Sequence, residues 1–558
     1  MDNILLKKDY TLLYILLALV YLAGLSIPLM QNDSAQHAVM AMRMYLENDF
    51  LNIYKGGEDY LDKPHMHFWL AALSFKIFGI SQWAYRIPAL LFTLLGAVSC
   101  FNLAKELYGK KASHIAALVF LSAQAVILAN HDVRTDAVLT GATIFSVWQL
   151  ILYARNERLS HIVLGAIGVG IAFSTKGQLG VFMVGTCCLC YLLYQRKWHA
   201  LWQWKSLLGL LVFFVTILPV LYAYYLQFDL HPEKTINGAT NISGVRFILW
   251  DQSFNRLTAT GFEKTSPDYL FFFHTFLWAF LPWSIIAYLA LFSKIKTLFK
   301  TGFKYGKEVE VFSSIGFLII MAVISFSKFK LPHYINSLLP IVSILVAAYL
   351  VQLYINKQRT ARILLIIQYI VLTLASLIAI YLVFFVFDTP YFGLILCYVL
   401  LITGLLFHVK SKMNTVRRLV VVSVYFMVFI NFCLNTHFYP NLLEYQAGNN
   451  AAQIIDEEGI DPNSVFILPG RPSWSLDFYT QRITPILDLD SIRKNIPEKK
   501  TWVFLYENQL NSLKNRNISW KKKYEIDHYR ITRLKASFLN PKTRDSVLEK
   551  AYLVELSL

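Results

Sequence analysis

Residues 7–36 read KKDYTLLYILLALVYLAGLSIPLMQNDSAQ. Lys7 and Lys8 lead an apolar run that continues to about Met30, and a polar break containing Asp33 follows. About 20 apolar residues suffice to cross the hydrocarbon core of a bilayer. A basic start before an apolar run also imitates a secretory signal, but no clear small-residue cleavage site follows. The stretch therefore reads as an uncleaved first membrane span.

The same pattern recurs along the chain. Of 558 residues, 56% are hydrophobic and 16% charged, with a mean hydropathy of +0.47. Ordinary soluble domains carry about 25% charged residues. Further spans are expected at roughly 84–104, 112–130, 136–154, 160–175, 178–195, 206–227, 268–293, 310–326, 334–355, 363–386, 391–409 and 419–437. The predicted fold class is a mainly α, polytopic transmembrane helical bundle of about thirteen spans.

The net charge of +17 does not point to nucleic acid, because most Lys and Arg sit in short breaks between apolar runs. With the N-terminus inside, the cytoplasmic breaks hold Lys105/Lys110/Lys111, Arg155/Arg158, Arg196/Lys197, Lys294 to Lys307, Lys357/Arg359/Arg362 and Lys410/Lys412/Arg417/Arg418. Acids collect in the alternate breaks, with Asp33, Glu47, Asp49, Glu58, Asp59 and Asp62 in one and Asp132 and Asp136 in the next. That alternation is the positive-inside signature of a membrane protein. The cysteines, Cys100, Cys187, Cys188, Cys190, Cys397 and Cys433, lie within apolar runs and read as small buried hydrophobes.

Two outer loops are long. Residues 31–83 include a semi-polar stretch, Gln36–Asn48, amphipathic enough to lie along a membrane surface as a helix. Residues 228–267 form the second. Beyond Tyr439 the composition turns polar, and strand-like runs at Ser464–Leu468, Thr501–Tyr506 and Tyr552–Leu556 suggest a small soluble α/β domain over 440–558. Thirteen spans place that domain outside, after a transmembrane domain over 1–439.

Chemistry-bearing residues gather at the outer boundaries. Asp33 stands at the end of the first span, where a lone carboxylate can simply mark the water boundary. Asp136, in His131-Asp132-Val133-Arg134-Thr135-Asp136, opens another span at the same surface. Two converging acids suit a base with its orienting partner, or an acid/base pair. Lys63, in Asp62-Lys63-Pro64-His65-Met66-His67-Phe68-Trp69, suits a lipid phosphate, although Lys63 and Trp69 are also ordinary interfacial anchors. His65 and His67 are two apart and would point to different helix faces, so they do not read as a metal pair. Lys328 and Lys330 run against the positive-inside bias, and Lys176 and Arg256 add further outer cations. Cations beside acids describe a site that binds phosphate and handles protons, and a phosphate leaving group needs such cations as its charge develops.

These motifs, taken in order, resemble the bacterial undecaprenyl-phosphate-sugar glycosyltransferases of the GT-C class, within the protein mannosyltransferase-like superfamily. The closest likeness is to the aminoarabinose transferases that modify lipid A. The resemblance rests on Asp33-Ser34-Ala35-Gln36-His37-Ala38, Leu61 to Trp69, Arg134 to Thr140, Lys176-Gly177 and Phe254-Asn255-Arg256-Leu257. It continues through a Pro267 segment, Leu281-Pro282-Trp283 and Ser325 to Tyr334, with Pro340 after it, and so covers about residues 1–350.

The resemblance implies roles. Asp33 would be the catalytic carboxylate and Asp136 the second acid. Lys63 and Tyr334 would contact the donor phosphate, with Arg256 and Lys328 as further candidates. The family can hold a divalent metal, for which Asp62 and Glu263 are the matching positions. An Asp/Glu pair favours Mg²⁺ or Mn²⁺ over zinc. Ser34 stands where the family has a Glu, a departure that bears on donor or acceptor identity more than on reaction class. The implied activity is an inverting transfer of a hexosyl or pentosyl group from a polyprenyl-phosphate donor to a lipid or protein acceptor. The implied place is the outer face of the bacterial inner membrane. A lipid-linked-sugar transporter, the rival reading, would show midplane charges and paired repeats, and neither is seen.

Overall fold

A computed structural model describes residues 4–236, 238–253, 255, 268–306, 308–488, 500–516 and 518–557. Among them, nine helices are long and apolar enough to cross a membrane: Lys7–Leu25, Gln82–Tyr108, Asp136–Asn156, Leu159–Lys176, Trp204–Asp229, Pro332–Asn356, Gln358–Val386, Phe392–Lys410 and Thr415–Leu443. Met66–Phe78, Gln178–Tyr194 and Phe312–Phe326 are shorter apolar helices. The protein is a multi-span membrane bundle.

Two of the expected spans are interrupted. The 112–130 segment divides into Lys110–Leu121 and Gln124–Leu128, and the 268–293 segment into Phe271–Ala279 and Ser284–Lys300. The two breaks face each other. Gln124 N donates to Leu281 O at 3.0 Å, and Trp283 Nε1 donates to Ser122 Oγ at 2.9 Å. Irregular backbone at membrane depth is tolerated where neighbouring helices satisfy its polar groups. The Gln124 side chain also exchanges two amide hydrogen bonds with Asn431, at 3.0 and 3.1 Å.

Gly141 allows a close helix crossing near the site. A Cβ on Gly141 would stand 2.2 Å from Phe92 O, so the Gln82–Tyr108 and Asp136–Asn156 helices touch through backbone. Arg86, fully buried, then ties the site's two loops together. Its guanidinium donates to the carbonyls of Leu25 (2.9 Å), Ile27 and Pro28 (3.2 Å) on one side, and of His131 (2.9 Å) on the other. These are the segments that lead into Asp33 and into Asp136. Five donors in a rigid fork suit Arg to this task better than any other side chain.

The semi-polar stretch 36–48 falls mostly in the helix Asp33–Leu46, and protein covers most of that helix. Ser34, Ala35 and His37 to Met44 are buried, between Met66–Phe78 and the C-terminal helix Trp474–Tyr479.

The C-terminal residues form a four-stranded mixed sheet. The strand order is Val465–Ile467, Trp502–Tyr506, Glu549–Ser557, Ser519–His528, with the first pair parallel and the others antiparallel. Three strands match the expected runs; Ser519–His528 is additional. This unit grips the chain just before Asp33. Leu29 N donates to Tyr479 Oη at 2.9 Å, Gln31 N to Gln446 Oε1 at 2.6 Å, and Ser475 N to Gln31 Oε1 at 2.8 Å.

Candidate active site

Asn32 caps the Asp33–Leu46 helix by accepting from Ser34 N at 2.7 Å. Its amide also donates to Asp132 Oδ1 at 3.1 Å, which sets the two loops side by side. Arg134 occupies the junction. Its Nη1 lies 3.3 Å from Asp33 Oδ2 and 3.1 Å from His333 Nδ1, while Nη2 donates to Asp132 Oδ2 at 3.1 Å. The Asp33 side chain stays 47% exposed, against 13% for Asp132. Asp33 is thus held by a cation yet open to an incoming group.

Asp136 is placed differently. Its side chain is 4% exposed, and Oδ1 accepts from Lys176 Nζ at 2.6 Å. His333 stands between the two acid groups. Nδ1 accepts from Arg134, which assigns the proton to Nε2, and Nε2 faces Asp136 Oδ2 at 3.8 Å. Tyr334 covers the ion pair, with the Lys176 ammonium 4.5 Å from the ring centre.

The Lys176–Asp136 pair separates two cavities. One of ≈ 220 Å³ is lined by Asp132, Arg134, Asp136, Trp278, His333 and Asn336. The other, of ≈ 210 Å³, is mainly apolar and is lined by Lys176, Phe182, Gln252, Val323, Ile324 and Tyr334. A chamber that holds several charged side chains and an apolar groove meet across one buried charge pair.

Lys63 donates to Asp62 Oδ2 at 2.7 Å and is 15% exposed. The Asp62 carbonyl accepts from Gln252 Nε2 at 2.6 Å. Gly177 makes room for Gln252: its φ is +64°, and a Cβ there would lie 2.2 Å from Gln252 Oε1. Beneath Asp33, burial holds the His37 imidazole well below its usual basicity, with His67, Lys63 and Arg134 acting in the same direction. His37 is therefore a neutral floor for the site at neutral pH. His65 donates to Leu51 O at 2.9 Å and His67 to Tyr85 Oη at 3.1 Å, so the two rings serve separate contacts.

Of the residues expected at the site, Asp33, Asp136 and Tyr334 come together through Arg134, His333 and Lys176. Asp62 and Lys63 form an ion pair linked through Gln252 to the wall of the apolar groove. Lys328 is exposed, whereas Lys330 is buried, with its ammonium 5.5 Å from the Tyr269 ring centre. Arg256 and Glu263 lie outside the described residues. Among the described residues no group of three His, Cys, Asp or Glu gathers to hold a metal, and Asp62 is engaged by Lys63. Sequence reasoning named Lys176 only as an outer cation and gave His333 no role. Their chemistry appears only when segments 40 and 197 positions from Asp136 converge.

Residues 62–223 match the family described as dolichyl-phosphate-mannose-protein mannosyltransferase. A Pseudomonas aeruginosa protein named undecaprenyl phosphate-alpha-4-amino-4-deoxy-L-arabinose arabinosyl transferase is 25% identical over 357 residues, 62% of this chain. The match spans 60% of that relative's own length. A namesake from Edwardsiella ictaluri is 25% identical over 63% of this chain and 61% of its own. The crystal structure of ArnT from Cupriavidus metallidurans bound to undecaprenyl phosphate superposes with a TM-score of 0.73 at 18% identity, covering 98% of this chain and 97% of that one. The chain has the ArnT fold from end to end.

Proposed function

We propose that this chain is an integral-membrane glycosyltransferase that moves a sugar from a polyprenyl-phosphate donor to lipid A at the outer face of the bacterial inner membrane. The observation that carries the reading is the pair of cavities meeting at Lys176 and Asp136, beside the exposed carboxylate of Asp33. An apolar groove with Lys176 in its lining suits a polyprenyl phosphate, and the chamber lined by Asp132, Arg134, Asp136 and His333 suits the reacting sugar and its acceptor. The names of the relatives support 4-amino-4-deoxy-L-arabinose as the sugar.

In this reading the acceptor oxygen attacks the anomeric carbon from the face opposite the donor phosphate, so configuration inverts. The bond from that carbon to the phosphate oxygen breaks, and polyprenyl phosphate leaves with the electron pair. Lys63 and Tyr334, with Lys328, meet the charge that develops there. Asp33 accepts a proton if the acceptor is a hydroxyl. For an ionised lipid A phosphate it orients the acceptor and stabilises positive charge at the sugar. Asp136 holds Lys176 and faces His333, a positioning role. No step is assigned to a metal.

Residues 1–439 form the catalytic membrane domain in this reading, with 440–558 an extracytoplasmic domain that shapes acceptor choice. The family match to protein mannosyltransferases favours one other acceptor, a protein hydroxyl. Mass spectrometry of lipid A and of surface glycoproteins from a deletion strain separates the two. Loss of a pentose-amine from lipid A supports the proposal, and unchanged lipid A with loss of a protein glycan contradicts it.

A further inference from the structure

The first span carries a second lipid-shaped feature that the transfer chemistry does not use. An apolar groove of ≈ 610 Å³ runs between the Lys7–Leu25, Gln82–Tyr108 and Lys110–Leu121 helices, lined by residues such as Leu17, Ala18, Leu94, Ala97 and Leu121. Beside it lies a recess of ≈ 240 Å³ whose lining includes Tyr10, Lys105, Lys110, Lys111 and Ser113. Both cavities have Phe101 and His114 in their linings, so they adjoin there and are treated as one cleft.

The charge at its mouth is one-sided. Among the described residues none of the three lysines pairs with a carboxylate, although the Lys111 ammonium lies 5.6 Å from the Tyr354 ring centre. Asp9, the acid at the start of the first span, is taken up by Arg417 at 2.7 and 2.8 Å. Glu106 is exposed on the same helix end as Lys105. Where the cleft narrows, His114 is stacked on Tyr10 at 3.7 Å between ring centres, and its Nδ1 lies 3.3 Å from Tyr14 Oη.

Length decides what fits. From Tyr10 to Leu22 the first helix rises roughly 18 Å, at about 1.5 Å per residue. That is close to one leaflet's share of a hydrocarbon core about 30 Å thick. A cluster of lysines at headgroup depth above an apolar groove of that length recognises a phosphate on an acyl chain. We propose that this cleft is a binding site for an anionic glycerophospholipid of the leaflet opposite the Asp33 site. Its headgroup phosphate sits among Lys105, Lys110 and Lys111, and one acyl chain lies along Leu17, Ala18 and Ala97. The site is independent of the sugar-transfer proposal.

Native mass spectrometry of the detergent-purified full chain, titrated with phosphatidylglycerol, cardiolipin or phosphatidylcholine, tests it. The expected result is at least tenfold preferential retention of an anionic lipid. That preference falls about tenfold in Lys105→Gln/Lys110→Gln/Lys111→Gln. Ala18→Phe, on an exposed position of the groove, lowers retention while leaving the lysines in place, and so covers the case of a misfolded triple variant. Equal retention of phosphatidylcholine, or anionic-lipid retention unchanged in a folded triple variant or in Ala18→Phe, overturns the proposal.

Discussion

Lys176 and Asp136 form a buried ion pair at 2.6 Å, with side chains 1% and 4% exposed, on the wall between the two site cavities. Removing one partner of such a pair leaves a charge without its counter-ion and costs about 3–5 kcal/mol. Lys176→Met should therefore lower the unfolding midpoint in detergent sharply. Lys176→Met/Asp136→Leu should recover much of that stability without recovering activity. A double variant no more stable than the single one would show that the pair is not what the wall depends on.

Arg134 links Asp33, Asp132 and His333 through one planar fork. Lysine keeps the charge but cannot reproduce that geometry. Misplacement of a reacting group by about 1 Å can cost about 10²-fold in rate. Arg134→Lys is expected to lower kcat by about that factor while leaving the KM for the donor within threefold. Steady-state transfer assays measure both, and an equal change in KM would place Arg134 in donor binding instead.

Burial raises the carboxyl of Asp477, which accepts from Thr484 N, from 3.8 to about 6. The folded state then holds a proton that the unfolded state releases between those values. Stability from this group is present below about pH 4 and is lost as pH rises through 6, a difference on the order of 3 kcal/mol. The Trp474–Tyr479 helix carries Asp477 and grips the chain before Asp33. Unfolding curves of wild type and Asp477→Asn between pH 4 and 7 should diverge with that sign. Parallel curves would contradict it.

Hydropathy and charge alternation made the membrane class readable, because spans of about 20 residues announce themselves one at a time. The collection of acids in alternate breaks was readable for the same reason. The interruptions at Ser122 and Phe280 were not, since each is stabilised by hydrogen bonds from the other, far away in sequence. Arg86 lies inside an apolar run, and nothing local reveals that it gathers four carbonyls from two loops. Strand Ser519–His528 escaped because it is the sheet's edge, and Lys521, Lys522 and Lys523 make it look like a polar loop. Lysines on edges guard against further pairing, which hides them from an alternation search.

The central claim is sugar transfer dependent on Asp33. The direct measurement is transfer of 4-amino-4-deoxy-L-arabinose from its undecaprenyl phosphate to lipid A by the purified full chain, wild type against Asp33→Asn. The account predicts product with the wild type and a loss of about 10²-fold or more in the variant, with donor affinity within threefold. Undiminished transfer by Asp33→Asn would contradict it.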